Sequence, residues 1–144
     1  MDRAGIERAL RHAHELMAEE DFAEALKRFK ELTVSHPDLA PAWMGLAGAA
    51  SALRQGEVAD GARQKARELA PHNAKLLLQL GHQYQAARQG ATARACYEQA
   101  AQADPKDVNP LISLAVQAEK NHQLSESRAF VERSLALEDR KSVV

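Results

Sequence analysis

The side chains able to do chemistry in this 144-residue chain are few and scattered. Six histidines (His12, His14, His36, His72, His82 and His122) are the candidate metal ligands or proton carriers, and Cys96 is the one candidate thiol nucleophile. A metal site needs its ligands to converge, and a helix brings together residues three or four apart. His12 and His14 are two apart, so on a helix they point to different faces. The chain has no HExxH, no pair of cysteines and no box of spaced aspartates, so no metal and no cofactor is expected. Cys96 has only Arg94 as a basic neighbour along its own helix and reads as a small, partly buried helix residue. The glycines in "QGEV" and "QGAT" belong to turns between helices, not to phosphate-binding loops. The chain is therefore expected not to be an enzyme.

The surrounding composition says what elements are available to position side chains. The chain is 45% hydrophobic and 27% charged, enough to bury a core and stay in solution. Its 29 alanines favour helices and let them approach closely. Aromatics make up 4%, which argues against a β-sandwich or barrel. Basic and acidic residues number 19 and 20 and are mixed along the chain. Without a basic block, no nucleic-acid partner is expected. The longest apolar runs are short, such as Leu76–Leu78, so no membrane insertion is expected. The N-terminal stretch has no apolar core of a signal peptide, and a lone cysteine makes no internal disulfide. A cytoplasmic protein, or a piece of a longer one, fits these features.

Pro37, Pro71 and Pro105 stand 34 residues apart, each at the end of an Ala- and charge-rich stretch. This ruler divides the chain into units 6–39, 40–73, 74–107 and 108–141 of a single 1–144 domain. The third unit reads Leu77-x-x-Leu80-Gly81-x-x-Tyr84, then Ala93-x-x-x-Tyr97, then Pro105. The second has Trp43, Leu46, Ala47, Ala50, Ala59 and Pro71 in step; the first has Ala13, Leu16, Ala25, Phe29 and Pro37. The fourth has Leu111, Leu114, Ala115, Ala118 and Val131, with Asp139 where the proline would fall. Each unit thus carries two apolar stripes at helical spacing. Ala13, Ala47, Gly81 and Ala115 keep one slot small, which lets the two helices of a unit pack closely. The prolines stop the second helix of each unit. Asp38, Asn73 and Asp107 are placed to cap the next helix, and Pro41 and Pro110 fall in its first turn.

This pattern resembles the tetratricopeptide repeat family over about 136 of the 144 residues. The resemblance implies an all-α, right-handed superhelical solenoid of four helix-turn-helix pairs. Some slots depart from the family pattern. Gly56 and Gly90 come about two residues later than the family's turn glycine, which predicts longer first helices and shorter second helices in units two and three. His12 stands in place of a leucine, Arg63 in place of an aromatic, and Ser127 and Ser134 in place of alanines.

By the same resemblance, the first helix of each pair lines a concave face. The fifth residue of each unit, Leu10, Met44, Leu78 and Ile112, then forms an apolar column there. His14, Gly48, His82 and Val116 follow one turn on, with Met17 and Gln85 beyond them and Lys75 near the start of the third unit. A column of four apolar residues either packs between neighbouring first helices or anchors an extended or helical peptide, and one residue can do both. The expected partner is a protein or peptide segment. Lys75 is the only cation in a slot from which some relatives grip a carboxylate tail, so a chaperone-tail clamp is not expected; Lys75 and His82 together would hold at most one acidic ligand residue. Two alternatives stand beside the groove. One is self-association through an edge of Phe130, Val131, Leu135 and Leu137, giving a homodimer. The other is an N-terminal targeting module of a larger enzyme, for which the Ala/Arg-rich composition suits a bacterial source.

Overall fold

The structure, a computed structural model, describes residues 2–142. Its helices are α1 (Arg3–Ala18), α2 (Phe22–Ser35), α3 (Ala40–Ala52), α4 (Gly56–Leu69), α5 (Ala74–Ala86), α6 (Gly90–Ala103), α7 (Asn109–Lys120) and α8 (Leu124–Ser142), and no strand occurs among the described residues. The 34-residue ruler is kept by the helix ends. The second helices begin at 22, 56, 90 and 124, and the first helices end at 18, 52, 86 and 120. Helices α2, α4 and α6 each end two residues before the ruler's proline. Pro41 and Pro110 are the second residues of α3 and α7, where the missing N–H leaves no helical bond unmade.

The capping expectations hold only in part. Asn73 caps α5, accepting from the Leu76 N–H at 3.1 Å. Asp107 accepts from the Asn109 N–H at 3.0 Å but lies one residue short of the cap of α7, which Val108 occupies with no side-chain cap bond. Asp38 lies one residue short of the cap of α3, which Leu39 occupies with no side-chain bond. Two caps that the ruler does not mark are Asp2, bonded to the Gly5 N–H at 2.8 Å, and Asp21, bonded to the Glu24 N–H at 3.5 Å.

The turn inside each pair differs from the sequence expectation. Gly56 and Gly90 are not turn residues but the first residues of α4 and α6. The left-handed residue comes two positions earlier: Glu20, Arg54, Arg88 and His122 have φ of 61°, 60°, 62° and 61°. Each sits between the same two backbone bonds. Its own N–H donates to a carbonyl three residues back, and the next N–H reaches five back, as in Gln55 to Ala50 at 2.8 Å and Gln89 to Tyr84 at 2.9 Å. This is the Schellman ending, which satisfies the last carbonyls of the first helix. Both helices therefore keep their length: α3 and α5 have 13 residues, and α4 and α6 have 14. The side chains of Glu20, Arg54, Arg88 and His122 point into solvent, so nothing but local strain, about 1–2 kcal/mol, opposes a non-glycine residue there.

Packing divides the chain into two compact units, Met1–Ala70 and Pro71–Val144, each of two helix pairs. In the first unit α1 packs on α2, α2 on α3 and α3 on α4, and α1 also meets α3. Its core is built on Leu16, Phe29, Leu32 and Leu46, with alanines filling the helix crossings. In the second unit α5 packs on α6, α6 on α7 and α7 on α8, around Leu77, Leu80, Tyr97, Leu111 and Leu114. Cys96 is fully buried there. Two close approaches depend on glycine. A Cβ on Gly45 of α3 would collide with the Phe29 ring of α2, and one on Gly81 of α5 with the Tyr97 ring of α6.

Candidate functional site

The expected binding residues lie on the first helices, and each unit holds its own set. In the first unit Leu10 and Met17 rest half-buried on the core, and Met44 and Gly48 of α3 are half-buried as well. His14 is exposed at one edge but lays its ring across Phe29, with centroids 5.3 Å apart and planes at 67°. That partial burial pushes its pKa below the ordinary value, because the charged ring would lose solvation.

In the second unit Leu78 is half-buried, while Ile112 and Val116 are 47% and 45% exposed. These two lie one turn apart on α7 and make the barest apolar patch of any first helix among the described residues. Lys75 and His82 are both exposed on α5, seven residues apart, so about 10 Å of helix rise separates them. The His82 Nδ1 already lies 3.0 Å from the Tyr97 hydroxyl. Burial raises the Tyr97 pKa, so the phenol stays protonated and available to this bond.

The Gln85 side-chain oxygen is engaged within the fold. It accepts from the Gln117 side-chain amide at 2.9 Å, and that amide also donates to the Gly90 carbonyl at 2.8 Å. Gln117 is buried and ties α7 to both α5 and the start of α6. A glutamine in mid-helix carries no sequence signal of such a role.

Several solved structures have this architecture. MamA is 21% identical, with 96% of this chain covering 81% of that one at a TM-score of 0.79. PilW, described as a widely conserved type IV pilus biogenesis factor, is 20% identical, with 96% covering 64% at 0.76. The Cut9–Hcn1 hetero-tetramer of the APC/C is 19% identical, with 93% covering 26% at 0.71. This chain thus spans less than two thirds of the latter two. No protein-family model matches the sequence, and no curated protein matches it either.

The fold is that of four tetratricopeptide repeats. The 34-residue slots can now be compared repeat by repeat. Phe29, Arg63, Tyr97 and Val131 are equivalent, and so are His14, Gly48, His82 and Val116. The first and third repeats fill this pair of slots with a histidine against an aromatic ring. The second tetratricopeptide repeat buries Arg63 instead, with its guanidinium bonded to the Ser51 hydroxyl at 3.1 Å and to the Asp60 carboxylate.

The fourth repeat leaves Val131 at the surface. Its expected edge does not form one face. Phe130 and Leu137 are half-buried against their own unit: Phe130 has the Arg94 and Arg133 guanidinium groups 5.9 Å from its ring centre, and Leu137 lines a crevice with Ala101, Pro105 and Leu111. Val131 and Leu135 point outward. Among the described residues no three His, Cys, Asp or Glu side chains gather as metal ligands, and no helix is long and apolar enough to cross a membrane.

Proposed function

We propose that this chain is a non-catalytic interaction module that holds a segment of a partner protein on its first-helix faces. The observation that carries this reading is the incomplete burial of Leu10, Met44, Leu78 and Ile112 in one repeat slot, continued by exposed Val116. Core positions two residues away, Ala42, Leu46, Leu76, Leu80, Pro110 and Leu114, are buried. In repeats two to four the slot therefore lies opposite the buried positions of its own helix, while Leu10 of the first repeat packs against the core and is only half-buried; each keeps some apolar surface that the fold does not consume. The half-buried methionines, Met17 and Met44, suit an adaptable contact. The His82 Nδ1 and the Gln85 side-chain oxygen are already engaged by Tyr97 and Gln117, which favours an apolar anchor over a charged one. The Cut9–Hcn1 hetero-tetramer of the APC/C, one chain of which matches this fold over 26% of its length, is an assembly of proteins and supports a protein as the ligand class.

The test is affinity capture from source lysate with three versions of the chain. Wild type should retain a partner that Ile112→Lys/Val116→Lys loses, while Leu135→Lys on α8 retains it. Ile112 and Val116 are exposed enough that the paired substitution leaves the helical circular dichroism unchanged. Retention by the Ile112→Lys/Val116→Lys chain would remove α7 from the binding face.

A further inference from the structure

We propose that α8 is a self-association helix, pairing antiparallel with α8 of a second copy across a two-fold axis. The starting point is slot equivalence. Phe29, Arg63 and Tyr97 are 0%, 2% and 3% exposed, whereas Val131 in the same slot is 43% exposed. Thr33 is 6% exposed, whereas its equivalent Leu135 is 58% exposed. In the first repeat this face of the second helix is covered by α3, whose Gly45 receives the Phe29 ring. On α8 the same face carries the apolar Val131 and Leu135 with nothing over them among the described residues.

A head-to-tail copy does not fit. At the slots where α3 offers Ala42, Gly45, Leu46 and Ala49, α1 offers Arg8, Arg11, His12 and Glu15, all exposed. Laying these over Val131 and Leu135 would set four polar or charged groups against apolar side chains, a desolvation cost of several kcal/mol that a flanking charge on α8 offsets only in part. The open-ended, fibre-forming contact is thereby disfavoured, and the closed two-fold one remains.

The α8 face is complementary to itself. Leu124, Arg128, Val131, Leu135 and Glu138 follow at spacings of four, three, four and three, the repeat of a two-helix seam. Arg128 and Glu138 are exposed at either side of the apolar pair. When two such helices run antiparallel about residue 133, Val131 meets Leu135 of the other copy, and Arg128 meets its Glu138. The symmetry makes each contact twice. Parallel pairing would set Arg128 on Arg128 and Glu138 on Glu138. The helix is held in place for this role from behind: Arg94 of α6 pairs with Glu126 at 2.9 Å, and the Ser127 hydroxyl donates to the Ala115 carbonyl at 3.1 Å. This pairing is independent of the first-helix reading, since it uses the opposite helix of each repeat.

A seam of one helix per copy is small for an interface, so the dimer should be weak, half-formed on the order of 100 μM. Sedimentation equilibrium of the full 144-residue chain tests it. Wild type should move from monomer to dimer with concentration and stop there. Leu135→Glu should abolish the dimer while keeping the helical circular dichroism. Arg128→Glu should weaken it about tenfold, since two ion pairs become repulsions, and Arg128→Glu/Glu138→Arg should restore it. Under mild oxidation, a mixture of Val131→Cys and Leu135→Cys chains should cross-link to each other more readily than either does to itself; Cys96 is buried and stays out of the reaction. A chain monomeric at about 1 mM, a dimer indifferent to Leu135→Glu, species larger than a dimer, or preferential 131-to-131 cross-linking would each overturn the proposal. So would capture of a different protein on the α8 stripe by a chain that never dimerises.

Discussion

The two units solve one packing problem in two ways. Each opens with a repeat that places a histidine against an aromatic ring, His14 on Phe29 and His82 on Tyr97, at the same two slots. In the first unit the ring is seated by a glycine of the next repeat, Gly45 on α3. In the second it is seated by a glycine of its own repeat, Gly81 on α5, and its hydroxyl is finished by His82. The second unit then joins its first helices through a polar bridge, Gln85 to Gln117, whereas the first unit joins α1 and α3 around Ala13, Leu16 and Ala50. A 34-residue repeat fixes where helices start and stop. It does not fix which neighbour supplies the space for a ring, and that choice rests on the position of one missing side chain.

The largest effect expected from breaking this comparison is at Phe29. Phe29→Ala should cost the first unit about 4 kcal/mol, because a fully buried ring leaves a cavity, while Val131→Ala in the equivalent slot should cost less than about 1 kcal/mol. Urea unfolding followed by hydrogen exchange on each unit reads both, and equal losses would mean that the slots are not distinguished by burial. Next come the glycines. A helix-interior Gly→Ala change normally stabilises by about 0.5–1 kcal/mol. Here the new Cβ meets a ring that has nowhere to go, so Gly45→Ala and Gly81→Ala should instead destabilise by about 1–3 kcal/mol. The sign of the change in urea midpoint decides the matter.

A smaller effect, of the opposite sign, is expected at the turns. Arg88→Gly removes the left-handed strain and should stabilise by about 0.5–1 kcal/mol after the entropy that glycine loses on folding. An unchanged or lower melting temperature would show that Arg88 earns its place through a contact. The smallest effect is at His14. Its pKa is lowered on folding, so above about pH 6.5 both states are neutral and it contributes no pH dependence. As pH falls through that value the unfolded chain takes the proton first, and stability declines until the folded pKa is passed. His14→Gln should flatten the stability profile slightly between neutral pH and pH 5, an effect kept modest by the ring's exposed edge.

Much of the fold is legible in the sequence because proline and the small slots act locally. Pro37, Pro71 and Pro105 end helices by chemistry that needs no tertiary context, and Ala13, Ala47 and Gly81 mark crossings that only small residues allow. The turns differ from the sequence expectation for a physical reason. Glycine is the usual left-handed residue, so Gly56 and Gly90 drew the turn toward themselves. The backbone took the left-handed residue two places earlier, because the two Schellman bonds there outweigh a strain of about 1–2 kcal/mol. Arg63 and Gln117 are illegible for another reason: a charged or amide side chain reads as surface until its partners, Ser51 and Asp60 or Gln85 and Gly90, are seen around it. Of the binding face, the sequence register assigns the column but not its exposure. Only the packing separates half-buried Leu10, Met44 and Leu78 from bare Ile112 and Val116, and outward Val131 and Leu135 from inward Phe130 and Leu137.

The central claim is that a partner sits on the first helices rather than the second. Hydrogen–deuterium exchange of the chain with and without its captured partner tests this most directly. The account predicts added protection in α7, around residues 112–116, and in one or more of α1, α3 and α5, with α2, α4 and α6 unchanged. Protection confined to α2, α4 and α6 would contradict it.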